Sequence, residues 1–468
     1  MTKDQEKQLL QAIYDRLFDA ITYQPQGGVN PFTESETFIH FSKNAALDPT
    51  EFADPVTPSN PNGNMRASEA FSRMVNYVSP MEIEWNPSES HLSSTYKLIV
   101  DSANAIIEHE DPKAKEMYDK AYNYLHPEAT TVNPFTGESV TERTDSADYV
   151  AYEENMEAYV GAIAAYRLQY NVYLDALEDP DPDVRKKADR DWQAKAPVLE
   201  MAIKSAFRKL QAGNAKYVEQ ALMILATTLN DGIRRAIVMA QEGVADDRAF
   251  SSSMGLPDKW FLSYPVPGNW TDESQKSFTE LHISGGQTDI RNKATEHNFS
   301  MDTSLNYGLW KVKASAGGNY EHRSSTTEKD SVEISAKICR VQVMRPWFTD
   351  SLFRLANWTT DLCGAGGISN GKIDSSNRDR LMPMYPVAFV LAKDITIKAA
   401  FSKEDIDIIN ESYNAGTSVG WGPFAIGGSY GYGNSEKTFH SEFQNGELKV
   451  PGMQILAWIS RVVPLSTR

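Results

Sequence analysis

The chain has 468 residues, 46 Lys and Arg against 63 Asp and Glu, and a formal net charge of -17, so no global positive field favours nucleic acid or an anionic surface. Two cysteines, Cys339 and Cys363, allow one bridge at most and exclude both a disulfide framework and a four-cysteine metal site. The length predicts about two to four domains.

The opening segment, MTKDQEKQLLQAIYDRLFDAI, has helical period and charge where a signal peptide needs an apolar run. The expectation is a protein that is cytoplasmic when synthesised and is released, if at all, without a Sec leader. No apolar stretch approaches the ~18 residues of a membrane-spanning helix. Residues 25–66 are rich in Pro, Asn, Gly and Ser and read as an irregular connection. Helical spacing resumes from Ser93 to Tyr124. The tetrapeptide Asn30-Pro31-Phe32-Thr33 recurs as Asn133-Pro134-Phe135-Thr136, which suits two turns each pinned by a phenylalanine.

From Asp148 the pattern is strongly helical. Tyr149, Tyr152, Met156, Tyr159, Ile163, Tyr166, Tyr170, Tyr173 and Leu177 form an apolar seam at alternating three- and four-residue spacing, ended by Asp179-Pro180. A second segment aligns Leu199, Ile203, Phe207 and Leu210. A third runs from Val218 to Ile237, with the break between them at Gly213-Asn214. Three long helices joined by short turns predict an up-and-down bundle over 148–243, within a helical domain spanning 1–247.

Past residue 255 short β-branched and aromatic runs separated by Gly, Ser and Asn read as strands. A weak duplication at an offset of 114 aligns Ser304, Gly308, Trp310 and Val312 with Ser418, Gly422, Phe424 and Ile426. It divides a β-rich domain, 255–468, into two similar units at about 276–348 and 385–465. Between them Gly364–Arg380 reads as a mobile loop, Val387–Phe401 as a buried strand followed by an exposed one, and Ser402 as a helix cap. The predicted class is α+β, an N-terminal long-helix bundle followed by a mainly antiparallel β half.

Catalytic signals are weak. Gly416-Thr417-Ser418-Val419-Gly420 fits a nucleophile elbow in letters only, because Pro423 and several glycines stand where the elbow needs a helix. The eight histidines never fall at the i, i+4 spacing of a helical zinc site, and no phosphate-binding loop is present. The expectation is therefore no catalytic residues, no metal and no cofactor. Cys339, in an apolar run, reads as an inert buried thiol.

Two ribbons carry the functional expectation. In the second, Phe424, Ile426, Gly428, Tyr430 and Tyr432 alternate with small residues. In the first, Leu305 and Tyr307 point one way and Trp310 and Val312 the other. Such alternation suits either a sandwich face or a strand lining a membrane barrel. The expected function is a non-enzymatic, pore-forming toxin-like protein that inserts or oligomerises through these ribbons. Its lipid or partner contacts are Leu305, Tyr307, Trp310, Val312, Val419, Trp421, Phe424, Ile426 and Tyr430, with Lys311, Lys313 and Lys437 facing water. The expected partners are membrane lipid or a cell-surface receptor and further copies of the chain. Two alternatives stand beside it: a self-assembling scaffold that uses the same ribbons for subunit pairing, and a hydrolase whose site is gathered from distant residues.

Overall fold

The computed structural model describes residues 1–22, 32–42, 46–86, 90–105, 112–132, 139–177, 179, 181–227, 231–275, 277–286, 295, 297–298, 308–313, 320–415, 417–430 and 437–467. Helix α1 (Lys3–Thr22) sets Leu9, Leu10, Ile13, Tyr14, Leu17, Phe18 and Ile21 at helical spacing, all buried. Strands β1 (Thr37–Phe41) and β2 (Ala46–Leu47) follow. Helix α2 (Met65–Met74) starts at Asn64, whose Oδ1 accepts from the backbone N–H of Arg66 at 2.9 Å and of Ala67 at 3.3 Å. Helix α3 (Leu92–Asp101) and strand β3 (Ala103–Ala105) complete this part.

The helical region comprises α4 (Pro112–Leu125), the hairpin β4 (Glu128–Val132) and β5 (Ser139–Arg143), α5 (Ala147–Leu177), α6 (Pro182–Leu210), α7 (Ala215–Thr227) and α8 (Asp231–Gly243). Its break falls at Gly213, which has φ of 63°. The predicted tyrosine seam faces α6 from Tyr159 onward, while Tyr149 and Tyr152 at its start pack with α4 and α7. Tyr159 and Ile163 are buried with Leu210, and Tyr173 stacks on Trp192 at 5.2 Å and donates its hydroxyl to Asp189 at 2.9 Å. The predicted third helix covers α7 and α8, and residues 228–230 between them lie outside the described residues.

The β part runs β6 (Tyr264–Val266), β7 (Thr279–Ser284), β8 (Trp310–Lys313), β9 (Tyr320–Arg323), β10 (Glu333–Met344), β11 (Trp358–Thr360) and β12 (Met384–Lys398). After α9 (Lys403–Ala415) come β13 (Ser418–Trp421), β14 (Phe424–Tyr430), β15 (Lys437–His440), β16 (Glu442–Gln444), β17 (Glu447–Val450) and β18 (Met453–Val462). The large sheet has the order β1-β18-β12-β10-β6, with β7 also on β10 and β17 also on β12. A second sheet has the order β15-β14-β13-β8-β9. Every strand pairing among the described residues is antiparallel. With 41% helix and 28% strand, the class is mixed, as α+β requires.

Alternation along β10 explains the layering. Ile334, Ala336 and Ile338 join the core beneath α1, whereas Cys339, Val341 and Val343 join Phe71, Trp270, Phe389 and Trp458 on the opposite face. Trp270 and Trp358, from the repeated Asn-Trp-Thr, are fully buried and anchor their loops in two different cores.

Three expectations are corrected. Elements α1, β1 and α2 do not segregate with the bundle, since β1 pairs with β18, α1 fills the core under the sheet and Phe71 of α2 packs on the sheet's opposite face, whereas α3 packs against α8. The division at 247/255 is therefore not a boundary between helix and strand. Residues Gly364–Arg380 are packed: Asn377 Oδ1 accepts from the Asn370 N–H at 2.9 Å, its Nδ2 donates to the Lys372 carbonyl at 2.9 Å, and Ser369 donates to the Val463 carbonyl at 2.6 Å. Side-chain amides and hydroxyls there satisfy the backbone that a ladder would otherwise serve. Residues 387–398 belong to one strand, β12, in which β-bulges absorb the change of face.

Within β1 a buried histidine sets a pH dependence. His40 Nδ1 donates to the Glu82 carbonyl at 2.7 Å and Nε2 accepts from Ser460 at 2.8 Å, while burial pushes its pKa down to about 3. The unfolded chain then takes up a proton near pH 6.5 that the folded chain refuses, so stability is full above that pH and lost as pH falls towards the folded value. The stability gap between the wild type and His40→Asn is expected to narrow by about 1.4 kcal/mol per pH unit below pH 6, read from urea unfolding at pH 7, 6, 5 and 4. A constant gap would contradict it.

Candidate functional site

Both predicted ribbons lie in connections between neighbouring strands of the large sheet, and both connections leave from one row. Ser284 on β7 lies opposite Glu333 on β10, Glu333 opposite Lys398 on β12, and Lys398 opposite Glu447 on β17. Lys398 Nζ bridges both glutamates at 3.7 Å each. One further backbone bond closes each connection, Gly285 N–H to the Val332 carbonyl at 2.7 Å and Ala399 N–H to the Gly446 carbonyl at 3.2 Å. Residues 285–332 and 399–446 are the connections, and they are equal in length.

The two connections meet in the five-stranded sheet. The first supplies β8 and β9, the second β13, β14 and β15, and the seam is the β8–β13 ladder, where Trp310 faces Trp421 and Lys313 faces Ser418. Between β13 and β14 the turn is Gly422-Pro423, with Gly422 at φ of 56°, which suits a two-residue hairpin turn with glycine in its first central position. Next along β14, the Gln454 side chain of β18 replaces a strand neighbour: its Oε1 accepts from Ala425 N–H at 2.7 Å and its Nε2 donates to the Ala425 carbonyl at 3.2 Å.

Of the expected contact residues, Trp310, Val419, Trp421, Phe424 and Ile426 are 0% exposed, in one core with Leu9, Leu10, Ile13, Ile397 and Leu448, and Val312 packs against that core half-buried. Leu305, Tyr307 and the side chain of Tyr430 lie outside the described residues. Alternation finds an apolar face but not what covers it; here α1 and the large sheet do. Lys311 is a correction. It is buried, with Nζ 2.7 Å from Glu84 Oε1, rather than facing water, because β8 has neighbours on both faces.

A buried carboxylate joins the connections. Asp405, in the first turn of α9, accepts from Trp310 Nε1 at 2.7 Å, Thr327 Oγ1 at 2.6 Å, and the Ser402 Oγ and N–H at 3.0 and 3.2 Å. Ser402 in return accepts from the Asp405 N–H at 3.1 Å, a reciprocal cap on the predicted helix start. Burial works to raise the Asp405 pKa, but the bonds from Thr327, Trp310 and Ser402 outweigh it and hold the carboxyl below the usual range. Nearby Glu6 of α1 accepts from the Ser325 N–H, and burial raises its pKa against the opposing backbone N–H groups of Ser325 and Leu309. Among the described residues, Glu6 Oε2 and Trp421 Nε1 are buried without a hydrogen-bond partner. Each costs about 1–3 kcal/mol, so the core beneath the ribbons is not fully satisfied. Sequence reasoning missed Asp405 and Glu6; the one local signal was the Ser402-x-x-Asp405 cap.

The chain matches no protein-family model, no curated protein and no solved structure. Among the described residues no cluster of three or more His, Cys, Asp or Glu could hold a metal, and no helix is long and apolar enough to cross a membrane. Cys339 and Cys363 are free thiols, and burial pushes Cys339 up to about 12. The Ser460–His40 contact has the partners of a hydrolytic pair, yet both residues are 0% exposed and His40 Nδ1 faces a backbone carbonyl. It serves as a core strut.

Proposed function

We propose that this is a non-enzymatic membrane-active protein whose two ribbon-bearing connections extend from the central strands as β-hairpins and enter lipid, several copies together supplying the wall of a pore. The observation that carries the reading is the pair of equally long connections rooted on one strand row. Extended in line with their flanking strands, each gives two arms of about 24 residues, roughly 80 Å at ~3.3 Å per residue. A tilted strand needs only ~9–11 residues to cross the hydrocarbon.

Composition supports the same reading. From Ser412 to Ser435 no residue is Asp, Glu, Lys or Arg, and that run is centred within one residue of Gly422-Pro423, the midpoint of the second connection. The apolar alternation from Phe424 to Tyr432 falls within it, as a lipid-facing strand requires. With Trp310, Trp421, Phe424 and Ile426 buried under α1, the folded form hides the surface that lipid would take. Closing the free edges of the extended hairpins calls for more copies of the chain.

Dye-loaded vesicles of neutral and anionic lipid at pH 5 and 7 test this, with light scattering of the protein alone as companion. Dye release together with a larger lipid-bound species is the expected result. Intact vesicles under every condition, with a defined oligomer in buffer, would replace it with the scaffold reading.

A further inference from the structure

The register of the five-stranded sheet continues that of the large sheet. Stepping outward from the facing pair Glu333 and Lys398, one residue at a time backwards from β10 and forwards from β12, brings Lys313 opposite Ser418 and then Trp310 opposite Trp421. Those are the pairs that face each other along the whole β8–β13 ladder. The next seam behaves alike. Stepping outward from Lys398 and Glu447 brings Gly420 opposite Ala425 and Trp421 opposite Phe424, the pairs observed between β13 and β14 as far as the bulge between Val419 and Gly420. The outer pairings do not match. Val312 faces Glu321 on β9, whereas continuation of the β7–β10 ladder would put Val312 opposite Leu305. His440 on β15 faces Gly427, whereas continuation of the β12–β17 ladder would put His440 opposite Asp405.

A one-residue slip would turn every side chain to the other face, so nothing in local strand chemistry obliges two separate sheets to share a register. Resting on the membrane reading, we propose that β8, β13 and β14 are a preassembled hairpin tip: the β8–β13 pairings and the Gly420–Ala425 and Trp421–Phe424 pairs survive insertion unchanged, the bulge at Val419 is ironed out, and β9 and β15 are exchanged. In that transition β8 gives up residues 320–323 and takes residues 304–307, which contain Leu305 and Tyr307. The tip then moves as one paired unit, with few backbone hydrogen bonds exposed to lipid unpaired on the way.

Two cysteine pairs in the full chain, in a Cys363→Ser background, give opposite outcomes. Cross-strand partners lie at the Cβ separations that a disulfide bridges with little adjustment. The pair Lys313→Cys/Ser418→Cys joins β8 to β13 and is expected to release dye from vesicles equally when oxidised and when reduced. The pair Val312→Cys/Glu321→Cys joins β8 to β9 and is expected to lose release when oxidised and recover it on reduction. If the latter does not fold, Lys311→Cys/His322→Cys closes the same ladder. Loss of release in oxidised Lys313→Cys/Ser418→Cys, or release by both oxidised pairs, would overturn the preassembled tip while leaving the membrane reading standing. Wild-type protein that never releases dye would remove that reading and the tip with it.

Discussion

Aspartate in place of Phe424 is expected to abolish the cooperative unfolding transition at 25 °C. Phe424 is 0% exposed in the core beneath α1. Removing such a ring costs about 3–5 kcal/mol, and burying an unpaired carboxylate adds several more, against a typical total of about 5–15 kcal/mol. The same change at Phe443, which is 38% exposed on β16, is expected to cost under about 1 kcal/mol. Thermal melts followed by circular dichroism separate the two, and a folded Phe424→Asp protein with wild-type Tm would mean that the ribbon does not pack as described. Charge substitution on the ribbon therefore reports on folding before it reports on lipid, and for this reason the cysteine pairs, not aspartates, test insertion.

Asp405→Ala is the second large effect. The carboxylate satisfies Trp310 Nε1, Thr327 Oγ1 and the Ser402 N–H at once, and its removal leaves buried donors without acceptors, at about 3–5 kcal/mol. The loss should be local first. Amides of β8, β13 and the start of α9 are expected to exchange with deuterium faster than in the wild type, with those of β18 little changed. Uniform acceleration across the chain would deny Asp405 a specific role in holding the two connections together. The pH sign follows from its lowered pKa: the contribution is full above the ordinary aspartate range and is lost only as pH falls through the lower folded value. Acid near pH 5 thus leaves Asp405 ionised. His40 weakens the fold across that range instead, through proton uptake by the unfolded chain.

The local patterns are legible in the residues. Spacing alone marks the seam that buries Tyr159 and Ile163, glycine chemistry marks the break at Gly213, and the cap at Ser402 follows from a hydroxyl ahead of a charged helical run. Alternation also picks out Trp310, Val419, Trp421, Phe424 and Ile426 as one kind of surface. What it does not supply is the cover. An apolar face looks the same whether α1 or lipid lies on it, and α1 belongs to the opposite end of the chain. The packing of 364–380 escapes local reasoning on related grounds: Gly, Ser and Asn signal irregular backbone, and they hold rigid structure only when partners such as Val463 and Ser466 arrive from the C-terminal end.

By itself, then, the amino-acid sequence determined the class, the long helices, the alternating ribbons and the acidic charge, because each depends on neighbours within a few residues or on composition alone. Only the tertiary structure decided that α1 and β1 complete the β layer, that Asp405 ties Trp310 to Thr327, and that the β8–β13 ladder and the Gly420–Ala425 and Trp421–Phe424 pairs continue the register of the central strands. Those features are pairings between segments far apart along the chain. Their energies come from burial and hydrogen bonds that exist only after the chain has closed on itself.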